Sequence, residues 1–208
     1  MTIVYLIRHS EGFAKLQGTI NSSDSLQILN EKNPLSVDGE HLAEHISSLQ
    51  ELSNLDVVWS SSYVRAVSTA KYLAVKNNLL VNIDERLKER VHGINSWSEL
   101  PKDYEIKQLE DETYKIGTGE NQLEVRKRME EALLDIINNN KGKRIAIISH
   151  GTAISFLLKK WCEVQYGKPY SFNGKEFFDG NWHYCETFKL TFDDNNNLID
   201  IENIKFDN

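Results

Sequence analysis

The sequence is short of several things, and each shortage excludes a class of protein. It has two cysteines, Cys162 and Cys185, in 208 residues. Two distant thiols give neither a disulfide framework nor a zinc-ligand spacing, so both are expected as buried free thiols. No long apolar run occurs, and the mean hydropathy is -0.48, so no membrane span is expected. Basic residues are also scarce. Lys and Arg number 24 against 31 Asp and Glu, a net charge of -7, which argues against the broad basic face that nucleic acid requires. No basic stretch followed by an apolar run and a cleavage site opens the chain, so the expected location is cytoplasmic. No repeat and no low-complexity linker divides it. What is present is 40% hydrophobic and 26% charged residues, a balance that supports one domain over residues 1–208 with a substantial core.

The organising stretch is Ile3-Val4-Tyr5-Leu6-Ile7, followed at once by Arg8-His9-Ser10-Glu11. Five apolar residues in a row predict a strand buried on both faces, as inside a parallel sheet. Ligands of open α/β sheets sit outside the carboxyl ends of such strands. Arg8 and His9 therefore read either as a polar turn or as the start of a site. Residues 12 to 34 read as a long polar loop. Lys15 on it is either solvated or reaches back towards Arg8 and His9.

Ser36 is expected to cap a helix carrying Val37, Leu42, Ile46 and Leu49. His41 and His45 on that helix lack a third metal ligand and read as solvated. Asp56 to Ser60 predicts a second strand, followed by a serine-rich turn and a helix with Val64, Val67, Ala70 and Ala74 on one stripe. Arg65 stands in the first turn of that helix, where the dipole disfavours a cation. It reads either as one half of a surface ion pair or as the partner of a bound anion. Val81 to Ile83 predicts a third strand, with Glu89 beyond its end. Residues from about 91 to 121 lack a period and are expected to form a lid with short helices, whose aromatics either line a substrate pocket or pack the lid down. Residues 122 to 139 form the clearest helix, with Val125, Met129, Leu133 and Ile136 on one face. Arg144 to Ser149 repeats the opening design, a short apolar strand ending on a histidine, His150, with an apolar helix after Gly151. The chain then reads as irregular through Gly174 and Gly180. It ends in a strand over Tyr184 to Phe192 and a second over Leu198 to Ile204, a hairpin on the sheet edge.

In a parallel sheet the strand ends carrying Arg8-His9, Arg65 and His150 all face one way, and Glu89 lies beyond a further end. Two arginines hold phosphate oxygens through forked, charge-assisted hydrogen bonds. A neutral histidine is a competent nucleophile towards phosphorus, and neighbouring guanidinium groups favour the neutral form. A carboxylic acid at Glu89 would supply a proton to the departing alkoxide.

These residues, in this order, resemble the histidine phosphatase superfamily (phosphoglycerate mutase-like), in the branch with an Arg-His-Gly signature. Arg8-His9 with Glu11 matches that signature. Asn33-Pro34-Leu35-Ser36 with Gly39 is similar to the family's Pro-Leu-Thr/Ser stretch. Ser60-Ser61-Ser62-Tyr63-Val64-Arg65-Ala66 with Thr69-Ala70 resembles its Ser-Ser-Pro-Leu-x-Arg-Ala-x-x-Thr-Ala segment. Leu87-x-Glu89 with Gly93 resembles the segment bearing the acid, and Ser149-His150-Gly151 the second histidine motif. Ser10 replaces the signature glycine, Lys15 replaces a common asparagine, and Ser62 stands where proline is usual.

The resemblance implies a three-layer α/β/α sandwich with a mostly parallel central sheet, a lid insertion and a C-terminal edge hairpin. It implies a phosphatase that needs neither cofactor nor metal and hydrolyses a small phosphorylated metabolite. In the implied scheme His9 is the nucleophile and Glu89 the acid and base, while Arg8, Arg65 and a protonated His150 bind the phosphoryl group. Ser10 and Lys15 are expected as possible substrate contacts. A phosphoglycerate mutase, or a phosphate-binding module without turnover, are the alternatives. Neither a nucleic-acid nor a membrane partner is expected, and the sequence leaves the oligomeric state open.

Overall fold

The computed structural model describes residues 1–13 and 25–206. Its centre is β1 (Thr2–Arg8), whose apolar run alternates between two cores. Val4 and Leu6 face one side, Tyr5 and Ile7 the other, and all four are fully buried. Three further parallel strands follow, β2 (Val57–Ser60), β3 (Val81–Ile83) and β4 (Arg144–Ser149). With β7 (Thr187–Phe192) and β8 (Leu198–Ile204) they form a six-stranded sheet ordered β3-β2-β4-β1-β7-β8. The last two strands are antiparallel, so the C-terminal hairpin lies on the sheet edge as expected. Between β4 and β7 in sequence, β5 (Tyr170–Phe172) and β6 (Lys175–Phe178) make a separate small hairpin.

Helices cover both faces of the sheet. On the Tyr5 side lie α2 (Val37–Ser47) and α3 (Val64–Lys76). On the Val4 side lie α5 (Gln122–Asn139) and α6 (Gly151–Leu158). The architecture is therefore the α/β sandwich read from the sequence, with a mostly parallel sheet. Helix α5 has the predicted bounds and buries the predicted face; Asn121 and Glu124 close a capping box at its start.

Several expectations need correction. The polar stretch ahead of Pro34 is not all loop: Leu26–Lys32 form a short helix, α1, capped by Ser25. The stretch read as irregular around Gly174 contains the β5–β6 hairpin. Helix α2 buries Gly39, Ala43 and Ile46, while Val37 is 72% exposed. Helix α3 is rotated from the predicted stripe and buries Arg65, Ala66, Thr69, Ala70, Leu73 and Ala74. The segment between β3 and α5 holds a 3₁₀ turn, Trp97–Glu99, and one helix, α4 (Tyr104–Glu110).

One glycine fixes a close approach. A Cβ on Gly39 would stand 2.1 Å from the Glu11 carbonyl oxygen, so only glycine lets α2 pack against the end of the first loop.

Candidate active site

Parallel register brings the loops after three strands to one level. Ile7 pairs with Ile148, and Ile148 with Ser60. The amide of His9 donates to the Ser149 carbonyl, and that of Ser61 to the Ile148 carbonyl. His9, Ser61 and His150 thus leave the sheet side by side, with the His9 and His150 rings 5.0 Å apart between centroids.

The protonation of both rings follows from their partners. His9 Nδ1 lies 2.6 Å from the Ser10 carbonyl, which only accepts, so Nδ1 carries the proton. Arg65 Nε, which only donates, points at His9 Nε2 from 3.0 Å, so Nε2 holds the lone pair. Burial first, and the charges of Arg65 and Arg8 next, push the His9 pKa well below its ordinary value. His9 is a neutral imidazole with a fixed tautomer and a basic nitrogen turned to the arginines.

His150 is oriented in the same way. Arg65 Nη2 donates to its Nδ1 at 3.2 Å, and its Nε2–H donates to Ser61 Oγ at 2.8 Å. Burial, Arg65 and His9 hold its pKa well down. By these partners alone the ring is held neutral; the protonated His150 expected from the sequence is the form that a bound phosphate encourages.

Arg65 is the hub. Besides both histidines, its Nη1 donates to the Asn30 carbonyl of α1 at 2.6 Å. The dipole argument that marked it is answered by burial: the guanidinium is turned inward against the strand ends. Arg8 donates through Nη1 to the Trp182 carbonyl at 3.3 Å, and its guanidinium lies 4.7 Å above the Tyr184 ring. Its Nε has no hydrogen-bond partner among the described residues.

Glu89 reaches the same neighbourhood from the β3 side. Its Oε1 accepts from the amides of Arg90 (2.9 Å) and Ala153 (3.1 Å), and its Oε2 from that of Thr152 (3.3 Å). It sits on the N-terminal end of α6, one residue past His150, and its charge supports the charged form of Arg65. Arg128 of α5 ties down the turn that bears it, donating to the carbonyls of Arg86, Lys88 and Glu89 while pairing with Glu120.

Two other residues named from the sequence fall elsewhere. Ser10 is fully buried, its amide donating to Thr69 Oγ1 and its hydroxyl to the Gly39 carbonyl at 2.7 Å. That placement is at odds with a substrate contact: the hydroxyl braces α2 against β1. Lys15 lies outside the described residues. Cys185 packs behind the loop that bears His9, its amide donating to the His9 carbonyl, and burial pushes its thiol up to about 12. Among the described residues no group of three or more His, Cys, Asp or Glu is arranged to hold a metal ion. None of their helices is long and apolar enough to cross a membrane.

Sequence reasoning passed over Arg90 as one solvated charge among many. It is 3% exposed, with Nε unpartnered among the described residues, and its one carboxylate partner, Glu105 of α4, is 67% exposed. Arg90 and Arg8 line a cavity of about 420 Å³ with Thr152, Tyr166, Tyr170 and Trp182. Its place immediately after Glu89 was the available signal.

A family model for the histidine phosphatase superfamily (branch 1) matches residues 4–203. The chain belongs to that superfamily. Probable phosphoglycerate mutases GpmB are similar to it: 29% identical over 167 residues in Escherichia fergusonii and 31% over 170 in Serratia proteamaculans. Each match covers 76% of this chain and 74% of the relative. Among solved structures, a mycobacterial glucosyl-3-phosphoglycerate phosphatase superposes with a TM-score of 0.70 at 16% identity, covering 98% of both chains. An Entamoeba histolytica phosphoserine phosphatase in complex with phosphoserine superposes with a TM-score of 0.67 at 24% identity, covering 97% of both. The last two likenesses concern the fold. Membership supports an enzyme acting on phosphate compounds.

Proposed function

We propose that this histidine phosphatase superfamily member hydrolyses a small phosphate monoester through a phosphohistidine on His9. The observation that carries the reading is the His9 ring, with its proton fixed on Nδ1 by Ser10 and its Nε2 lone pair among cationic side chains. In the proposed first step Nε2 attacks phosphorus in line, the P–O bond breaks, and the alkoxide takes a proton from Glu89. Water then attacks the phosphohistidine and gives its proton to Glu89. Arg65 Nε–H leaves His9 Nε2 for a stronger acceptor, a phosphate oxygen, and so frees the lone pair. Arg8 and Arg65 face the charge that spreads over the phosphoryl oxygens, and His150, once the bound phosphate has protonated it, adds its Nδ1–H.

Buried Arg90 beside Arg8 favours a leaving group with an anion of its own, such as a carboxylate. Phosphoserine, and the 3-phosphoglyceric acid bound to the same Entamoeba phosphatase in a second complex, are both phosphate esters of carboxylic acids. A mutase is the second reading, favoured by the names of the two curated relatives.

The test is phosphate release from a panel of esters, with and without a carboxylate, by the wild type, His9→Ala and Glu89→Gln. His9→Ala should abolish release. Glu89→Gln should slow turnover on poor leaving groups by about 10²–10⁴-fold, with inorganic phosphate still inhibiting. Equal release by wild type and His9→Ala would refute the proposed nucleophile. Interconversion of phosphoglycerates without net phosphate release would assign the mutase instead.

A further inference from the structure

Helix α1 is an unusual wall for a catalytic site, because none of its seven residues is buried. Among the described residues, two of its polar contacts reach the side chains at the strand ends. One is the Asn30 carbonyl on Arg65 Nη1; the other joins Gln27 Nε2 to the Tyr63 hydroxyl at 2.6 Å. The second Nε2 hydrogen of Gln27 goes to Glu31 Oε1, one turn along the same helix, at 2.8 Å. Both amide hydrogens are therefore used, and the amide is held facing Tyr63.

Tyr63 is itself placed in the middle of the phosphate-binding side chains. It is 1% exposed. Its ring meets His150 edge-on, with centroids 4.9 Å apart, and the Arg65 guanidinium carbon lies 5.1 Å from its ring centre. Its amide donates to Ser61 Oγ, the acceptor of the His150 proton. Burial pushes its hydroxyl far above the ordinary phenol range, so the contact with Gln27 persists at every working pH. On its far side α1 lines a second cavity, of about 550 Å³, through Ser25, Gln27 and Asn30, opposite His92, Trp97 and Thr118.

We propose that Tyr63 is a positioning residue: its ring braces His150 and Arg65, and its hydroxyl seats α1, through Gln27, as the wall of this second cavity. None of the residues of α1 is fully buried, with Leu26 and Leu29 only partly so, and the loss of one hydrogen bond therefore shifts the seated fraction. Apparent affinity for an ester whose leaving group touches α1 falls by that same fraction. The kinetic consequence rests on the phosphatase reading above; the seating does not.

Two measurements test it. In the first, Tyr63→Phe and Gln27→Leu are compared with wild type on esters of increasing leaving-group size. Each should raise KM for the larger esters by about 2- to 10-fold, the value of one net hydrogen bond, with kcat little changed. Inhibition by inorganic phosphate, which has no leaving group, should stay constant. The double variant should match the singles, since both remove one contact. Tyr63→Leu, which also removes the ring, should lower kcat. Additive effects, or KM and phosphate inhibition moving together, would overturn the proposal. The second is sub-second hydrogen exchange of the α1 amides, which needs no turnover. Exchange should quicken in Tyr63→Phe while that of β4 is unchanged; identical exchange in both proteins would equally overturn it. A wild type without phosphatase activity but with this exchange difference would remove the kinetic reading and keep the seat.

Discussion

Two neighbours of opposite chemistry hold the His9 ring: a carbonyl that only accepts and a guanidinium that only donates. Between them they allow one tautomer and oppose a second proton. This has a consequence for the pH profile. A histidine whose pKa is held well below 6.5 keeps its lone pair as the solution is acidified through the ordinary histidine range. The acid limb of kcat/KM is expected below pH 6.5, and an ester with a good leaving group, which needs no proton from Glu89, will show it most directly. An acid limb at or above 6.5 would mean that His9 is solvated. At this scale the sequence was informative about residue type and poor about direction. Arg8, His9, Arg65, Glu89 and His150 announce themselves as reactive or charged groups at strand ends. Nothing in a linear pattern says that Arg90 turns inward, that Ser10 turns away, or that Tyr63 lies across two phosphate-binding side chains.

Among the elements, legibility followed burial. Helix α5 buries a long apolar face and repeats it over five turns' worth of sequence, so its bounds could be read directly. Helix α1 has no fully buried residue and the β5–β6 hairpin is short, so neither leaves a strong period. Their existence depends on tertiary partners. The turn bearing Glu89 is similar in kind, since no strand or α-helix holds it and Arg128 does so by its hydrogen bonds. Arg128→Ala removes those bonds and leaves the half-buried Glu120 without its guanidinium. A loss of about 2–3 kcal/mol is expected from urea denaturation, the scale of a charged hydrogen-bond group. Turnover should fall with it even where the protein remains folded, because Glu89 is then free to wander from the N-terminal end of α6. Unchanged kcat in a folded Arg128→Ala protein would deny Arg128 this holding role.

For the molecule as a whole, acid is the natural threat. His9 and His150 are buried neutral with pKa values pushed well down, and burial together with Arg90 holds His92 at about 4. An unfolded chain takes up protons on these rings below about pH 6.5, while the folded chain does not. Their contribution is therefore complete above 6.5 and is lost as the pH falls towards the folded values. Asp84 and Glu112 are held below the carboxylate range by Arg86 and Arg126, so their contribution is lost only as the pH falls further, below about 4. Urea midpoints are expected to decline already between pH 6.5 and 5, before carboxylates titrate. A flat midpoint over that interval would show the histidines to be accessible to protons in the folded state.

The position of β1 also bears on how the protein is made. Its two neighbours in the sheet are Arg144–Ser149 and Thr187–Phe192. A ribosome delivers the strand that carries the nucleophile long before it delivers either of them. His9 is thus made before Arg65 and His150 but is seated only when β4 and β7 have joined β1. A growing chain holds an unpaired apolar strand until residues 144–149 have been made, a span in which chaperone binding has its best target. Nascent chains halted before Thr187 lack one whole flank of that strand, so catalytic competence arrives only as the final strands join the sheet.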